Sequence, residues 1–179
     1  VGVDSIDLDA ATELGICATN TPGINTSEVA DHAMAMLLSI TRKIPEQNAA
    51  LKAGAWSDRP KEIDAFRGQL RRIAGTTVGI FGLGSIGKAF ATRVRGFGPE
   101  KIIAYDPYVP QTMADLFGVQ LVDFDTLLAE SDYLTVHSPA TAETNHIFNI
   151  DAFRKMKPSA IFINCARGPI VDEAGLQEA

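Results

Sequence analysis

Three glycines, Gly82, Gly84 and Gly87, stand in the run GLGSIG, directly after the apolar segment TVGIF and directly before a helical pattern from Lys88 onward. A strand, a glycine turn and a helix in that order make a phosphate cradle. Gly82 permits the tight turn, Gly84 lets the backbone approach a pyrophosphate, and Gly87 lets helix and strand pack closely. The N-terminus of the helix then offers N–H groups to the anion. A glycine-rich turn alone is a weak signal. It gains weight from Asp106, which ends the strand-like run KIIAY 19 residues past Gly87, where a dinucleotide fold needs an acceptor for the adenosine ribose hydroxyls. A carboxylate there favours NAD over NADP, because a 2′-phosphate would bring like charge against Asp106, and Pro107 and Tyr108 supply no cation. The competing reading of Asp106 is a turn former before proline.

Two further clusters follow apolar runs: His137, Ser138 and Pro139, and then Asn164, Cys165, Ala166, Arg167 and Gly168. Arg167 carries the strongest case for chemistry. A guanidinium beside a nicotinamide can bind the carboxylate and reacting oxygen of a small 2-hydroxy or 2-oxo acid through paired hydrogen bonds. The same charge polarises a carbonyl for hydride attack. Its other reading is a solvent-exposed arginine at a strand end. Cys165 reads as a small packing residue rather than a nucleophile, since no histidine lies near it in sequence. His137 can serve as a backbone-level contact to cofactor, and His32, four residues after Glu28 on a helical pattern, reads as a surface pair or a packing histidine.

The elements that must position these groups can be assigned from periodicity. Strands are expected at 77–81, 101–105, 119–122, 132–137 and 159–164, with helices beginning near Ser85, Pro110, Asp125 and Asp151. Alternation of this kind gives an α/β fold with a doubly wound parallel sheet, whose ligands bind beyond the carboxyl ends of the strands where strand order reverses. Every chemical candidate except His32 then falls on one edge of the sheet. Upstream, a short helix is expected near Asp7 to Glu13, a buried strand near Ile16 to Ala18, and a linker from Thr21 to Asn25. Thr26 or Ser27 can cap a helix running to about Lys43, whose apolar stripe is wide enough to pack on two sides. A second helix follows Pro45 to near Gly54, and residues 55–74 read as a connecting excursion.

Composition narrows the function classes. With 46% hydrophobic and 21% charged residues, the 179-residue chain is expected to be globular, with one sizeable core or slightly more. A net charge of −6 without any Lys/Arg block argues against a sequence-independent grip on nucleic acid or anionic membrane. Arg67, Arg71 and Arg72 are expected to form a solvated loop. Cys17 and Cys165 form no CxxC pair and the three histidines lack ligand spacing, so no metal site or disulfide framework is expected, and a reducing, cytoplasmic setting fits. No apolar run approaches the length of a membrane span.

Several separated motifs together resemble the D-isomer-specific 2-hydroxyacid dehydrogenase family along the whole chain. VGVDSIDLDAATELGICATNTPGINTSEVADHA resembles the segment that closes the substrate domain and enters the hinge helix. GIFGLGSIG with AYDP resembles the cofactor turn and ribose acid, and TVHSPATAET and FINCARGPIVDE resemble the later cofactor loops. Within the family the chain most resembles 3-phosphoglycerate dehydrogenases and their relatives, which include C-terminal-binding-protein corepressors.

The resemblance implies a Rossmann NAD-binding domain over 23–179, preceded in 1–22 by the tail end of a flavodoxin-like substrate domain. It implies NAD contacts from Gly82, Gly84, Ser85, Ile86, Gly87, Asp106, His137, Ser138, Pro139, Thr144, Cys165, Ala166 and Arg167, with Arg167 also holding the acid's carboxylate and C2 oxygen. It implies NAD-dependent hydride transfer to or from a small 2-hydroxy or 2-oxo acid, and a homodimer built through the cofactor domain. The family's glutamate, and the histidine it orients to exchange the substrate proton, would lie past Ala179. Glu173, Glu178 and His137 do not align with them, so the chain is expected to be a fragment that does not turn over alone. An NAD-responsive, corepressor-like binding protein of the same fold is the alternative from a different class, because architecture does not determine activity. Pro169 and Gly175 depart from the family's usual glycine and alanine, and Gly175 is expected to weaken its helix by about 0.8–1 kcal/mol.

Overall fold

Apolar segments bounded by glycine, proline and polar residues form the sheet, and the amphipathic stretches between them cover it. The structure, a computed structural model, describes residues 2, 5–58 and 60–179. Val1, Val3 and Asp4, in the opening of the expected first unit, lie outside the described residues, as does Arg59 in the expected excursion.

Helix α1 (Leu8–Glu13) is capped by Asp7, whose side chain accepts the Ala10 N–H. Helix α2 (Thr26–Arg42) ends where Lys43 turns left-handed at φ 54°, and α3 (Ile44–Lys52) starts at once, with Pro45 in its first turn, where its missing N–H costs nothing. Short helices α4 (Ala55–Asp58) and α5 (Pro60–Arg67) lead to strand β1 (Thr77–Phe81), then α6 (Ser85–Arg95), β2 (Lys101–Tyr105) and α7 (Gln111–Asp115). The chain continues through β3 (Gln120–Leu121), α8 (Phe124–Glu130), β4 (Tyr133–Val136), α9 (Ile150–Lys155), β5 (Ile161–Asn164), a 3₁₀ turn (Gly168–Ile170) and α10 (Glu173–Glu178).

The five strands are parallel in the order β3-β2-β1-β4-β5. The chain therefore leaves β1 toward one edge and returns to build the other, and the reversal falls between β1 and β4. Phe81, Tyr105 and Val136 are in register across β1, β2 and β4, so the loops following these three strands open at one level. The two faces carry separate cores, as a doubly wound sheet requires. One joins Ala33, Leu37, Ile80, Phe90, Val94 and Tyr133 beneath α2 and α6; the other joins Phe81, Ile103, Leu127, Leu134, Phe148 and Ile170 beneath α8 and α9.

Six expectations need correction. Residues 16–18 form no strand and are exposed, Ile16 at 59%, because an extended apolar run becomes a strand only beside a ladder partner and none among the described residues reaches it. The segment 55–74 contains α4 and α5, so the excursion is partly helical. The cap position of α2 is Asn25, with no side-chain cap bond, rather than Thr26 or Ser27, which lie inside the helix. The strand boundaries tighten from 119–122, 132–137 and 159–164 to the shorter spans above. Of the three arginines expected in a solvated loop, Arg71 is instead half-buried, donating to Ser159 O and lying 5.0 Å from the Tyr133 ring centroid. Gly175 is not a mere weak point of α10. It is buried against α9, and a Cβ there would stand 2.6 Å from the Ile150 backbone nitrogen.

Candidate cofactor and active site

The site begins where β1 runs out of ladder. Phe81 O accepts the His137 N–H at 2.7 Å and Tyr105 O accepts the Gly82 N–H at 3.0 Å, so the turn stays tied to both neighbouring strands. Gly82 has φ +92°, a left-handed conformation that L side chains rarely adopt, and an added Cβ would lie 2.8 Å from Ser138 N. Gly87 sits in the first turn of α6, where a Cβ would fall 2.2 Å from Gly82 O, so helix and turn close on each other only without a side chain. Gly84 differs, because a Cβ there would meet nothing within 4 Å. It occupies the cap position of α6, and no side chain caps that helix. The open side of the turn and the first-turn N–H groups thus share one space, suited to an anion.

Asp106 reaches into this turn. One carboxylate oxygen accepts the Leu83 N–H at 2.7 Å, and the other accepts the Tyr108 N–H at 3.0 Å. Both readings from sequence therefore have a physical basis: the carboxylate organises its own turn, and it is placed beside the glycine loop with lone pairs still able to accept ribose hydroxyls.

Gly82, Gly84, Asp106, His137, Ser138, Pro139 and Thr144 line one cleft of about 460 Å³ at the carboxyl ends of β1, β2 and β4. Sequence reasoning did not select Phe81, Tyr105, Tyr108, Glu143 or Ile147, which also line it. Phe81 and Tyr105 stack with centroids 5.6 Å apart and give the cleft an aromatic floor. The Tyr108 hydroxyl donates to Glu143 Oε2 at 2.7 Å, and that carboxylate pushes the phenol's pKa above its usual value. Thr144 shapes the adjoining loop, its hydroxyl accepting the Thr141 N–H and donating to Pro139 O, each at 2.8 Å.

His137 Nδ1 and Ser138 Oγ are buried atoms of this wall without a hydrogen-bond partner. Buried polar atoms are normally paired, and these two have no partner among the described residues; the His137 ring itself packs on Phe90, centroids 5.6 Å apart, toward the core beneath α2 and α6. His137 Nε2 lies 3.0 Å from Thr135 Oγ1, and burial lowers the imidazole's pKa to about 4. The ring is therefore neutral near pH 7 and poorly matched to proton exchange there. A dinucleotide fits these features: an uncapped glycine turn for phosphate, a carboxylate for ribose and an aromatic floor.

Cys165, Ala166 and Arg167 do not line this cleft; they follow β5, whose Asn164 is in register with Val136 of β4. Asn164 clamps the turn between them, accepting the Ala166 N–H and donating to Arg167 O, both at 2.9 Å. Arg167 Nη1 donates to Ala166 O at 2.8 Å. Cys165 packs its sulfur 3.6 Å from Met36 Sδ, and burial raises its pKa, so it behaves as the packing residue expected. Ser85 and Ile86 begin α6 beside the glycine turn, and His32 is exposed on α2. Among the described residues no group of His, Cys, Asp and Glu could hold a metal ion.

Residues 34–179 match the family model described as D-isomer specific 2-hydroxyacid dehydrogenase, NAD binding domain. A D-3-phosphoglycerate dehydrogenase of Archaeoglobus fulgidus is 48% identical over 179 residues, covering all of this chain and 32% of that protein. An NAD-dependent formate dehydrogenase from Staphylococcus aureus, solved in complex with NAD, superposes with a TM-score of 0.87 at 35% identity, over 100% of this chain and 51% of that one. A D-lactate dehydrogenase from Aquifex aeolicus, complexed with NAD and lactic acid, gives 0.85 at 32% identity, over 99% and 51%. The chain thus spans about a third of the curated relatives it matches and about half of the solved ones.

Proposed function

Since the chain belongs to the D-isomer-specific 2-hydroxyacid dehydrogenase family, we propose that its whole protein moves a hydride reversibly between NAD and C2 of a small acid, oxidising a D-2-hydroxy acid such as 3-phosphoglycerate or reducing a 2-oxo acid such as hydroxypyruvate. The observation that carries this reading is the convergence, in one cleft, of an open uncapped glycine turn and the Asp106 carboxylate over an aromatic floor.

Gly82, Gly84, Ser85, Ile86 and Gly87 would hold the pyrophosphate through backbone N–H groups, and Asp106 the adenosine ribose. His137, Ser138, Pro139 and Thr144 would form the opposite wall, and Cys165, Ala166 and Arg167 would lie toward the nicotinamide. When bound, the cofactor supplies the hydride acceptor at its nicotinamide ring. Arg167 would clamp the acid's carboxylate and C2 oxygen, its fixed fork of donors favouring the planar geometry of an α-oxo acid and stabilising charge that develops on the oxygen. His137, neutral and buried, would bind rather than exchange the substrate proton.

The same proposal assigns residues 1–22 to the end of a substrate domain and 23–179 to the cofactor domain. Support comes from α1, which joins neither core and leaves Leu14 73% exposed. A homodimer through the cofactor domain would cover Ile44, Leu51 and Trp56, which are exposed on α3 and α4. The cytoplasm suits the two free thiols. No described helix is long and apolar enough to cross a membrane.

The test follows NADH absorbance with the full-length protein and a panel of 2-oxo acids, comparing wild type with Arg167→Ala. Oxidation of NADH that falls by about 10²-fold or more in the variant, with NADH affinity retained, is expected for a lost transition-state donor. Tight NADH binding with no turnover across the panel would replace the enzyme by an NAD-responsive binding protein.

A further inference from the structure

Two loops face each other across the mouth of the cofactor cleft. One leaves β2 through Asp106, Pro107 and Tyr108; the other leaves β4 and carries Thr141, Glu143 and Thr144. Because β2 and β4 flank β1, these loops stand on opposite sides of the glycine turn. The Tyr108 hydroxyl crosses that gap to Glu143 Oε2 at 2.7 Å, joining residues 35 apart in sequence. Both residues line the same cleft as Gly82, Gly84 and Asp106.

Each end of the crossing is braced. Tyr108 is held at its backbone by Asp106 Oδ1 at 3.0 Å, which couples it to the carboxylate assigned to the ribose. The loop bearing Glu143 is pinned by Thr144, through the bonds to Thr141 N and Pro139 O. Tyr108 is 78% exposed, so water competes for its hydroxyl and the bond adds little to folding stability. Two braced anchors joined by an easily opened bond over a cleft with an aromatic floor form a strap that can part for entry and close afterward.

We propose that the Tyr108–Glu143 hydrogen bond is a strap across the cleft that retains the adenosine half of the bound dinucleotide, with both residues acting to position and hold it. The inference rests on the reading of this cleft as the cofactor site. It goes beyond that reading by giving a retaining role to two residues outside the glycine turn and the ribose acid.

The experiment uses the full-length protein, with NADH dissociation followed by stopped-flow fluorescence and ADP-ribose affinity by calorimetry, in wild type, Tyr108→Phe, Glu143→Gln, Glu143→Ala and the Tyr108→Phe/Glu143→Ala double variant. Tyr108→Phe and Glu143→Ala should each speed NADH release and weaken ADP-ribose by about fivefold, the scale of one partly solvated hydrogen bond to a carboxylate. Glu143→Gln, which still accepts from the hydroxyl without the charge, should fall between wild type and Glu143→Ala. The double variant should match either single, because a pair can be broken only once. Release rates within twofold of wild type, or effects that add in the double variant, would overturn the strap while leaving the cofactor site intact. Failure of wild type to bind NADH and ADP-ribose would overturn the cofactor reading and the strap with it.

Discussion

Replacing Asp106 by Asn separates its two possible duties. The carboxylate takes two backbone N–H donors, from Leu83 at 2.7 Å and Tyr108 at 3.0 Å, one on each oxygen. An amide of the same shape has one acceptor oxygen, so one of these donors would face an NH₂ group and lose its bond, costing about 1 kcal/mol of local stability. A ribose diol donating to Asp106 would lose a charged acceptor as well. Hydrogen bonds to charged groups are worth about 1.5–3 kcal/mol, which converts to roughly 10- to 150-fold weaker NADH binding. NADPH should respond in the other direction or not at all, because the substitution removes the like charge that opposes a 2′-phosphate. The assay is fluorescence titration of the full-length variant with NADH and NADPH, beside a thermal melt. If NADH and NADPH weaken equally, the loss comes from a disturbed turn. If NADH affinity stays within twofold of wild type, Asp106 is a turn former alone and the ribose assignment is wrong.

Two further predictions concern stability. Gly175→Ala should lower the melting temperature although it improves helix propensity by about 1 kcal/mol, because the new methyl would lie 2.6 Å from Ile150 N and overpacking costs about 1–3 kcal/mol; a higher melting temperature would refute the packing account. His137 is held near pKa 4 by burial against an ordinary 6.5, so the unfolded chain takes up a proton that the folded chain refuses. Its contribution is intact above pH 6.5, declines as pH falls and is exhausted near pH 4, for a total of about 3 kcal/mol. Urea midpoints across that window should fall with acidification, and His137→Gln should flatten the dependence; an unchanged slope in the variant would place the proton uptake elsewhere.

The parts of the fold legible in the sequence are those whose signals are local. The unit from β1 through the glycine turn and α6 to β2 carries its turn residues, helix start and strand runs within 77–106, and the structure reproduces those strands to the residue. Asn164 and Arg167 stand at and just past the end of a strand whose apolar run is equally local. The failures are cases where the deciding partner is distant. Residues 16–18 have the composition of a strand, yet without a ladder partner among the described residues they remain outside the sheet and exposed. Edge strand β3 shrinks to two residues because it pairs only with Ile103 and Ala104 of β2.

The candidate site divides along the same line, and the division has a physical cause. Gly82, Gly84 and Gly87 are legible because a missing side chain is a requirement of backbone geometry, and backbone geometry repeats from one protein to another. Tyr108 and Glu143 are not legible, since a phenol and a carboxylate 35 residues apart meet only after the parallel sheet has put β2 and β4 on either side of β1. Gly175 shows the converse error. Helix propensity counts it as a defect of α10, but the close approach of α9 makes the small residue the one that fits, so a tertiary contact reverses the sign of a local preference. Sequence motifs therefore identify the groups proposed to meet the cofactor's invariant phosphate and ribose. The pair proposed to close over it is set by which loops the strand order brings together, and it must be found in three dimensions.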